Sequence, residues 1–145
     1  MIKPVLSISG FKDLDADFKL LSDVEQRQVS KKAVKAGAIV FRDAIKANAA
    51  VDSGTLKRSI SVDMAKGPII SAGVKFKQVR VRKKLKGEGV VSKKILPFYW
   101  WMLENGTSKM PAKPFVRPGF DENIKKAEDA AFSQFLADID RIFLK

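Results

Sequence analysis

The sequence contains no cysteine and no histidine among its 145 residues. The missing cysteines exclude disulfide bonds, thiolate nucleophiles and zinc sites built on sulfur. The missing histidines remove the commonest metal ligand, the usual general base near neutral pH and every Ser-His or Cys-His catalytic pair. The groups left for catalysis are carboxylates, lysines and Tyr99. A metal-dependent phosphodiesterase that uses Asp and Glu is therefore the one enzyme class worth testing.

Long apolar runs are also missing. No stretch approaches the ~20 apolar residues that a membrane-spanning helix requires, and the N-terminus lacks the pattern of a secretory signal. We therefore expect a chain made in the cytoplasm. Hydrophobic residues make up 46% of the sequence and charged residues 30%, a balance typical of a globular protein. The length predicts one domain over residues 1–145.

Negative charge is scarce in one segment, residues 75–94, where Glu88 is the only acidic residue. This segment carries +8 of the formal net charge of +12. Its nine basic residues are Lys75, Lys77, Arg80, Arg82, Lys83, Lys84, Lys86, Lys93 and Lys94. They alternate with apolar residues, which predicts a protruding basic hairpin at about 75–95. Such a hairpin is either a solvated strand face or a contact for DNA phosphates or an acidic partner surface.

Hydrophobic periodicity predicts an α+β fold. Residues 11–21 have the pattern of an amphipathic helix, and Ser22 with Glu25 forms a capping box that starts a second helix ending near Asn48. Strand patterns cover 5–9, 60–64, 69–76, 79–85 and 90–96, and a long C-terminal helix covers 118–145. We predict an antiparallel sheet of about four strands, with the central helix and the C-terminal helix packed on it.

Residues 97–120 combine aromatic side chains with prolines. Phe98, Tyr99, Trp100 and Trp101 are consecutive, and successive helical residues point about 100° apart, so at least one ring should be free for a partner. A short core helix is the simpler interpretation of the same rings. Pro111, Pro114 and Pro118 predict a stiff, extended connector after this helix. Glu104 is interpreted as a surface or capping carboxylate, and neither Glu104 nor Asp52 has a partner at a recognisable two-metal spacing.

Two motifs carry a family resemblance. The first is an aromatic helix followed by Glu104-x-Gly106-Thr107 and by Met110-Pro111-Ala112-x-Pro114-Phe115-x-Arg117-Pro118. The second, upstream, is Val51-Asp52-Ser53-Gly54-Thr55-Leu56-Lys57-Arg58-Ser59-Ile60. In this order and spacing the sequence resembles the neck and tail-completion family of long-tailed bacteriophages, the gene-ten-like family of HK-type lambdoid phages.

The resemblance implies a structural virion protein at the head-to-tail junction, without catalysis, metal or cofactor. It implies a homo-oligomeric ring, expected to be a hexamer, that contacts head-completion proteins and tail-terminator or tail-tube proteins, with packaged DNA as a further candidate partner. The candidate subunit interface comprises Phe98, Tyr99, Trp100, Trp101, Met110, Phe115 and Arg117. The main alternative is a free nucleic-acid-binding protein that grips phosphates with the basic hairpin. A metal-dependent nuclease ranks last.

Overall fold

The computed structural model describes residues 9–50, 54–85 and 89–144, and within these ranges the chain forms six helices and four strands. The predicted α+β class is confirmed. In chain order the elements are α1 Ser9–Leu20, α2 Asp23–Asn48, α3 Thr55–Ser59, β1 Ile60–Met64, β2 Ala72–Phe76, β3 Val79–Leu85, β4 Gly89–Ile95, α4 Trp100–Asn105, α5 Val116–Asp121 and α6 Ile124–Phe143. No helix in the described ranges has the length and apolar character needed to cross a bilayer.

The long helix α2 organises the fold and begins where the capping box predicted. The Ser22 hydroxyl oxygen accepts the Glu25 amide at 3.4 Å, and the Glu25 carboxylate accepts the Ser22 amide at 3.0 Å. These two bonds satisfy backbone N–H groups that have no partner inside the first helical turn. The start of α2 is therefore fixed by local sequence.

One side of α2 packs closely against α6. A Cβ atom on Gly37 would lie 3.1 Å from the Ala127 carbonyl oxygen, so the absence of a side chain there permits the approach of the two backbones. Val29 and Ile139 are buried in this contact, and the rings of Phe18 and Phe135 lie 5.2 Å apart beside them. This apolar contact joins α1, α2 and α6.

The other core cluster lies near the C-terminal end of α2. Ile45, Leu56, Ile60 and Phe115 are almost fully buried there, together with Ala49. Gly119 of α5 approaches α2 so closely that a Cβ atom would lie 2.6 Å from the Ile45 Cγ1 atom and 3.1 Å from its backbone. This cluster joins α2 to β1, α3 and α5.

The predicted single sheet is instead two separate two-stranded antiparallel ribbons, β1–β2 and β3–β4. Ile60 pairs with Phe76 at the start of β1, and the Lys77 amide donates to the Ser59 carbonyl at 2.8 Å just beyond it. Residues 77–78 then lead into β3 without a tight hairpin turn, so β2 and β3 do not form a ladder. β3 contacts α3 instead.

The predicted long C-terminal helix is confirmed as α6, which begins later than predicted. The expected continuous helix is divided into α5 and α6, and the Asn123 side-chain amide at the break donates to the Gly119 carbonyl at 3.1 Å. A side chain that bonds to a nearby carbonyl competes with the helical ladder. α6 packs along α2, whereas the prediction placed it on the sheet.

Three smaller predictions have mixed outcomes. Residues 5–8 of the predicted first strand lie outside the described residues, and Ser9 is the first residue of α1. β2 begins at Ala72, later than expected, and just before it the Ala65 amide donates to the Ser71 carbonyl at 2.9 Å. The short helix α3 was not predicted, since five residues are too few to show a helical period.

Candidate assembly interface

The connector between α4 and α5 is held by one carboxylate. Glu104 lies at the end of α4 with 8% of its surface exposed, and its oxygens accept three consecutive backbone amides at the start of α5. The Phe115 and Val116 amides donate to Oε2 at 2.7 and 2.9 Å, and the Arg117 amide donates to Oε1 at 3.0 Å. The capping interpretation of Glu104 is confirmed, and the surface interpretation is wrong.

These bonds also set the ionisation of Glu104. Burial acts to raise its pKa, but the amides of Val116, Phe115 and Arg117 and the Arg117 charge together outweigh burial and lower the pKa below 4.5. Glu104 is therefore ionised at neutral pH, with both oxygens occupied. The lowered pKa makes it a weak base.

The rest of the connector is fixed by Gly106. Its φ of 75° is in the left-handed region, and a Cβ atom would lie 2.8 Å from the Ala112 nitrogen, so no other residue fits without displacement. Thr107 and Met110 form an isolated antiparallel bridge, and the Lys113 amide donates to the Leu103 carbonyl at 2.8 Å. The connector predicted from the prolines is therefore stiff and tied back onto α4.

The four consecutive aromatic residues divide between core and surface. Trp100 stacks on Phe76 with a centroid distance of 4.3 Å and an interplanar angle of 8°, and Tyr99 packs against the same core cluster. Phe98 and Trp101 are instead 68% and 57% exposed. The prediction that at least one ring remains free is confirmed.

The structure thus separates the residues of the predicted subunit interface. Phe115 is buried at 3% exposure in the core cluster, Tyr99 and Trp100 are half-buried against that cluster, and Met110 is half-buried. Arg117 is exposed beside the Glu104 carboxylate. Phe98 and Trp101 are the large rings of the predicted set that remain open to a partner.

Further exposed apolar side chains adjoin these two rings in sequence, and sequence reasoning did not single them out. Ile95, Leu96 and Met102 are 36%, 45% and 37% exposed. With Phe98 and Trp101 they form what we call the apolar strip, which runs from the end of β4 into α4. Exposed apolar side chains that form a contiguous patch commonly mark protein–protein contacts, so these five residues are candidates for one.

The basic hairpin is the β3–β4 ribbon. Arg80 pairs directly with Lys94 and Arg82 with Ser92, so these side chains share one face of the ribbon. Val79 and Val81 on the opposite face are half-buried, whereas every residue of β4 is exposed. Like charges directly opposite each other destabilise an antiparallel pair. The basic face is therefore unfavourable for the isolated chain.

The nine predicted basic residues do not all lie on this ribbon. Lys75 belongs to β2 and forms an ion pair with Asp63, and Lys77 lies in the link before β3. Lys83 and Lys84 lie in β3, and Lys86 lies outside the described residues. Among the described residues, no carboxylate pairs with Arg80, Arg82, Lys93 or Lys94.

The described residues contain no group of three or more carboxylates that could hold a metal ion. Asp52 lies outside them. Both oxygens of Glu104 accept backbone amides, which gives this carboxylate a structural part in holding α4 to α5.

Residues 12–106 match the family model described as "Bacteriophage HK97-gp10, putative tail-component". The chain belongs to this family. The match includes Glu104 and Gly106, which fix the connector, and extends across both ribbons. No curated protein and no solved structure matches the chain. Membership in a family of phage tail components gives the protein a structural role in the virion, where it contacts other virion proteins.

Proposed function

We propose that the protein is a neck or tail-completion component of a long-tailed phage or prophage, located at the head-to-tail junction. It acts there as one domain that assembles into a ring, expected to be hexameric, and binds head-completion proteins and tail-terminator or tail-tube proteins. The observation that carries this proposal is the apolar strip, whose helix α4 is held to the start of α5 by Glu104. A rigid support lowers the entropy lost when an exposed surface is immobilised by a partner.

The strip supplies the expected contact between neighbouring subunits. Burying the exposed parts of Phe98 and Trp101 would contribute on the order of 2 kcal/mol for each ring. Because the two ends of the interface lie on different surfaces in a head-to-tail ring, the strip meets a different face of the next subunit. Partner head and tail proteins then bind the completed ring.

We propose that the basic hairpin provides a second binding surface. Its unpaired like charges favour a polyanionic neighbour, either packaged DNA or an acidic virion surface. The same charges support the alternative function, a free nucleic-acid-binding protein. Titration of the monomer with short duplex DNA at two salt concentrations distinguishes the virion role from the free nucleic-acid-binding role. Submicromolar binding with a steep salt slope favours the alternative, and weak binding by the monomer favours the virion role.

Sedimentation velocity of the purified chain, alone and mixed with candidate head and tail proteins, tests the assembly role. The variant Phe98→Ser with Trp101→Ser should raise the dissociation constant of the assembly by about 10³. Leu20→Ser with Val24→Ser, two exposed apolar positions outside the strip, is the matched control and should assemble as wild type does. Equal assembly by both double variants would contradict a role for the apolar strip.

A further inference from the structure

A groove of about 430 Å³ separates the first half of α2 from the loop that joins β1 to β2. Its cationic lining comes from Arg27, Lys31, Lys32 and Lys35 on the helix and from Lys66 on the loop. Its apolar lining comes from Met64, Ala65, Ile69 and Ile70. No carboxylate of the described residues lines it.

The loop wall of the groove is held to the helix. The Arg27 guanidinium donates to the Gly67 carbonyl at 2.5 Å, and the bond between Ala65 and Ser71 closes the loop itself. A bound segment would therefore meet a surface that is already in place, which reduces the ordering cost of binding.

The cations of the groove are largely unpaired. Lys32 forms an ion pair with Asp138 at 3.3 Å, but Lys31, Lys35 and Lys66 are exposed and have no carboxylate partner among the described residues. Arg27, Lys31 and Lys35 follow one another at four-residue intervals on α2, a row of like charges that disfavours the helix. An anionic ligand would remove this repulsion.

The apolar part of the groove selects among anionic ligands. Ile69 is 77% exposed at the rim, and Met64 and Ile70 are half-buried beside it. A nucleic acid backbone would engage the lysines but leave Ile69 in water. A protein segment that carries an apolar side chain among carboxylates would satisfy both parts of the lining.

We infer that this groove is a second docking site, separate from the apolar strip and the basic hairpin, for an acidic segment of a protein partner with an apolar side chain between its carboxylates. Lys31, Lys35 and Lys66 contact the carboxylates, and Ile69 with Met64 covers the apolar side chain. The site goes beyond the proposed ring contact and does not depend on it.

The test uses a fluorescent twelve-residue peptide of alternating glutamate and leucine, with a glutamate–serine peptide of equal charge as its control. Binding is measured by anisotropy in a background of Arg80→Ser and Lys94→Ser, which removes the cationic pair of the hairpin. The glutamate–leucine peptide should bind at least about tenfold more tightly than its control. Its binding should shift the backbone amide NMR signals of Gly67 and Ile69.

Two groove variants and one control complete the design. Lys31→Glu with Lys35→Glu, and separately Ile69→Ser, should each weaken binding of the glutamate–leucine peptide about tenfold or more. Lys125→Glu with Lys126→Glu makes the same charge change at two exposed positions of α6 and should have little effect. Equal losses in the two charge variants, or tighter binding of duplex DNA that Ile69→Ser leaves unchanged, would overturn the proposal.

Discussion

Replacing Glu104 with alanine should be among the most damaging single substitutions in this chain. The change removes the acceptor of three backbone amides that join α4 to α5. Hydrogen bonds to a charged group contribute about 1.5–3 kcal/mol each. The Phe115 amide would be left buried, whereas those of Val116 and Arg117 are only part-buried and could bind water. We therefore expect a loss of about 3–5 kcal/mol in the free energy of unfolding, below the sum of the three bonds.

Urea denaturation followed by tryptophan fluorescence measures this loss, since Trp100 is stacked on Phe76 in the adjoining core. Glu104→Gln keeps one acceptor oxygen and should lose less, roughly 2 kcal/mol. Glu128→Ala removes an exposed carboxylate from α6 and is the control, with an expected change within about 0.5 kcal/mol. A loss below about 1 kcal/mol for Glu104→Ala would contradict the conclusion that Glu104 holds α4 to α5.

The pH dependence provides a second measurement on the same residue. Because the pKa of Glu104 is lower in the folded chain, its ionised form stabilises the fold fully above the unfolded value of about 4.5. This stability is lost as the pH falls through the folded-state pKa. The difference between wild type and Glu104→Gln should therefore be constant near neutral pH and shrink below pH 4.5. A difference that grows on acidification would contradict this assignment.

Three further predictions concern packing and charge. Gly106→Ala should destabilise the chain by about 2 kcal/mol or more in urea denaturation, because its φ of 75° and its contact with Ala112 both exclude a side chain. Gly119→Ala should cost about 1–3 kcal/mol through its contact with Ile45, and that cost should be smaller in an Ile45→Ala background, which removes the Cγ1 atom. Arg80→Glu should place an opposite charge across from Lys94, raise stability by about 0.2–1 kcal/mol and weaken binding to duplex DNA; a fall in stability would contradict the assigned register.

Local signals in the sequence predicted much of the fold. The capping box at Ser22 and Glu25 marked the start of α2, and alternation located all four strands. Alternation could not show that β2 and β3 are unpaired, because a strand pattern does not state which strands are neighbours in the sheet. The break at Asn123 was missed because the apolar stripe continues across it, and the local side-chain bond to the Gly119 carbonyl leaves no pattern in the sequence.

The sequence predicted where the candidate interface lies, but not which of its side chains are exposed. The aromatic and proline pattern pointed to residues 97–120, but the separation of Phe98 and Trp101 from the buried Trp100 and Phe115 depends on helix orientation. The sequence did not show that Glu104 accepts three backbone amides, because these amides lie 11–13 residues away. The groove beside Arg27 also combines residues that are far apart in sequence.

Immunogold labelling of purified virions most directly tests the central claim that the protein is a structural component at the head-to-tail junction. Particles from the phage or prophage that encodes the chain would be labelled with antibody against the protein and imaged by electron microscopy. The account predicts label between head and tail, and particles made with the Phe98→Ser and Trp101→Ser variant should show unjoined heads and tails. Purified, complete particles that contain none of the protein would contradict it.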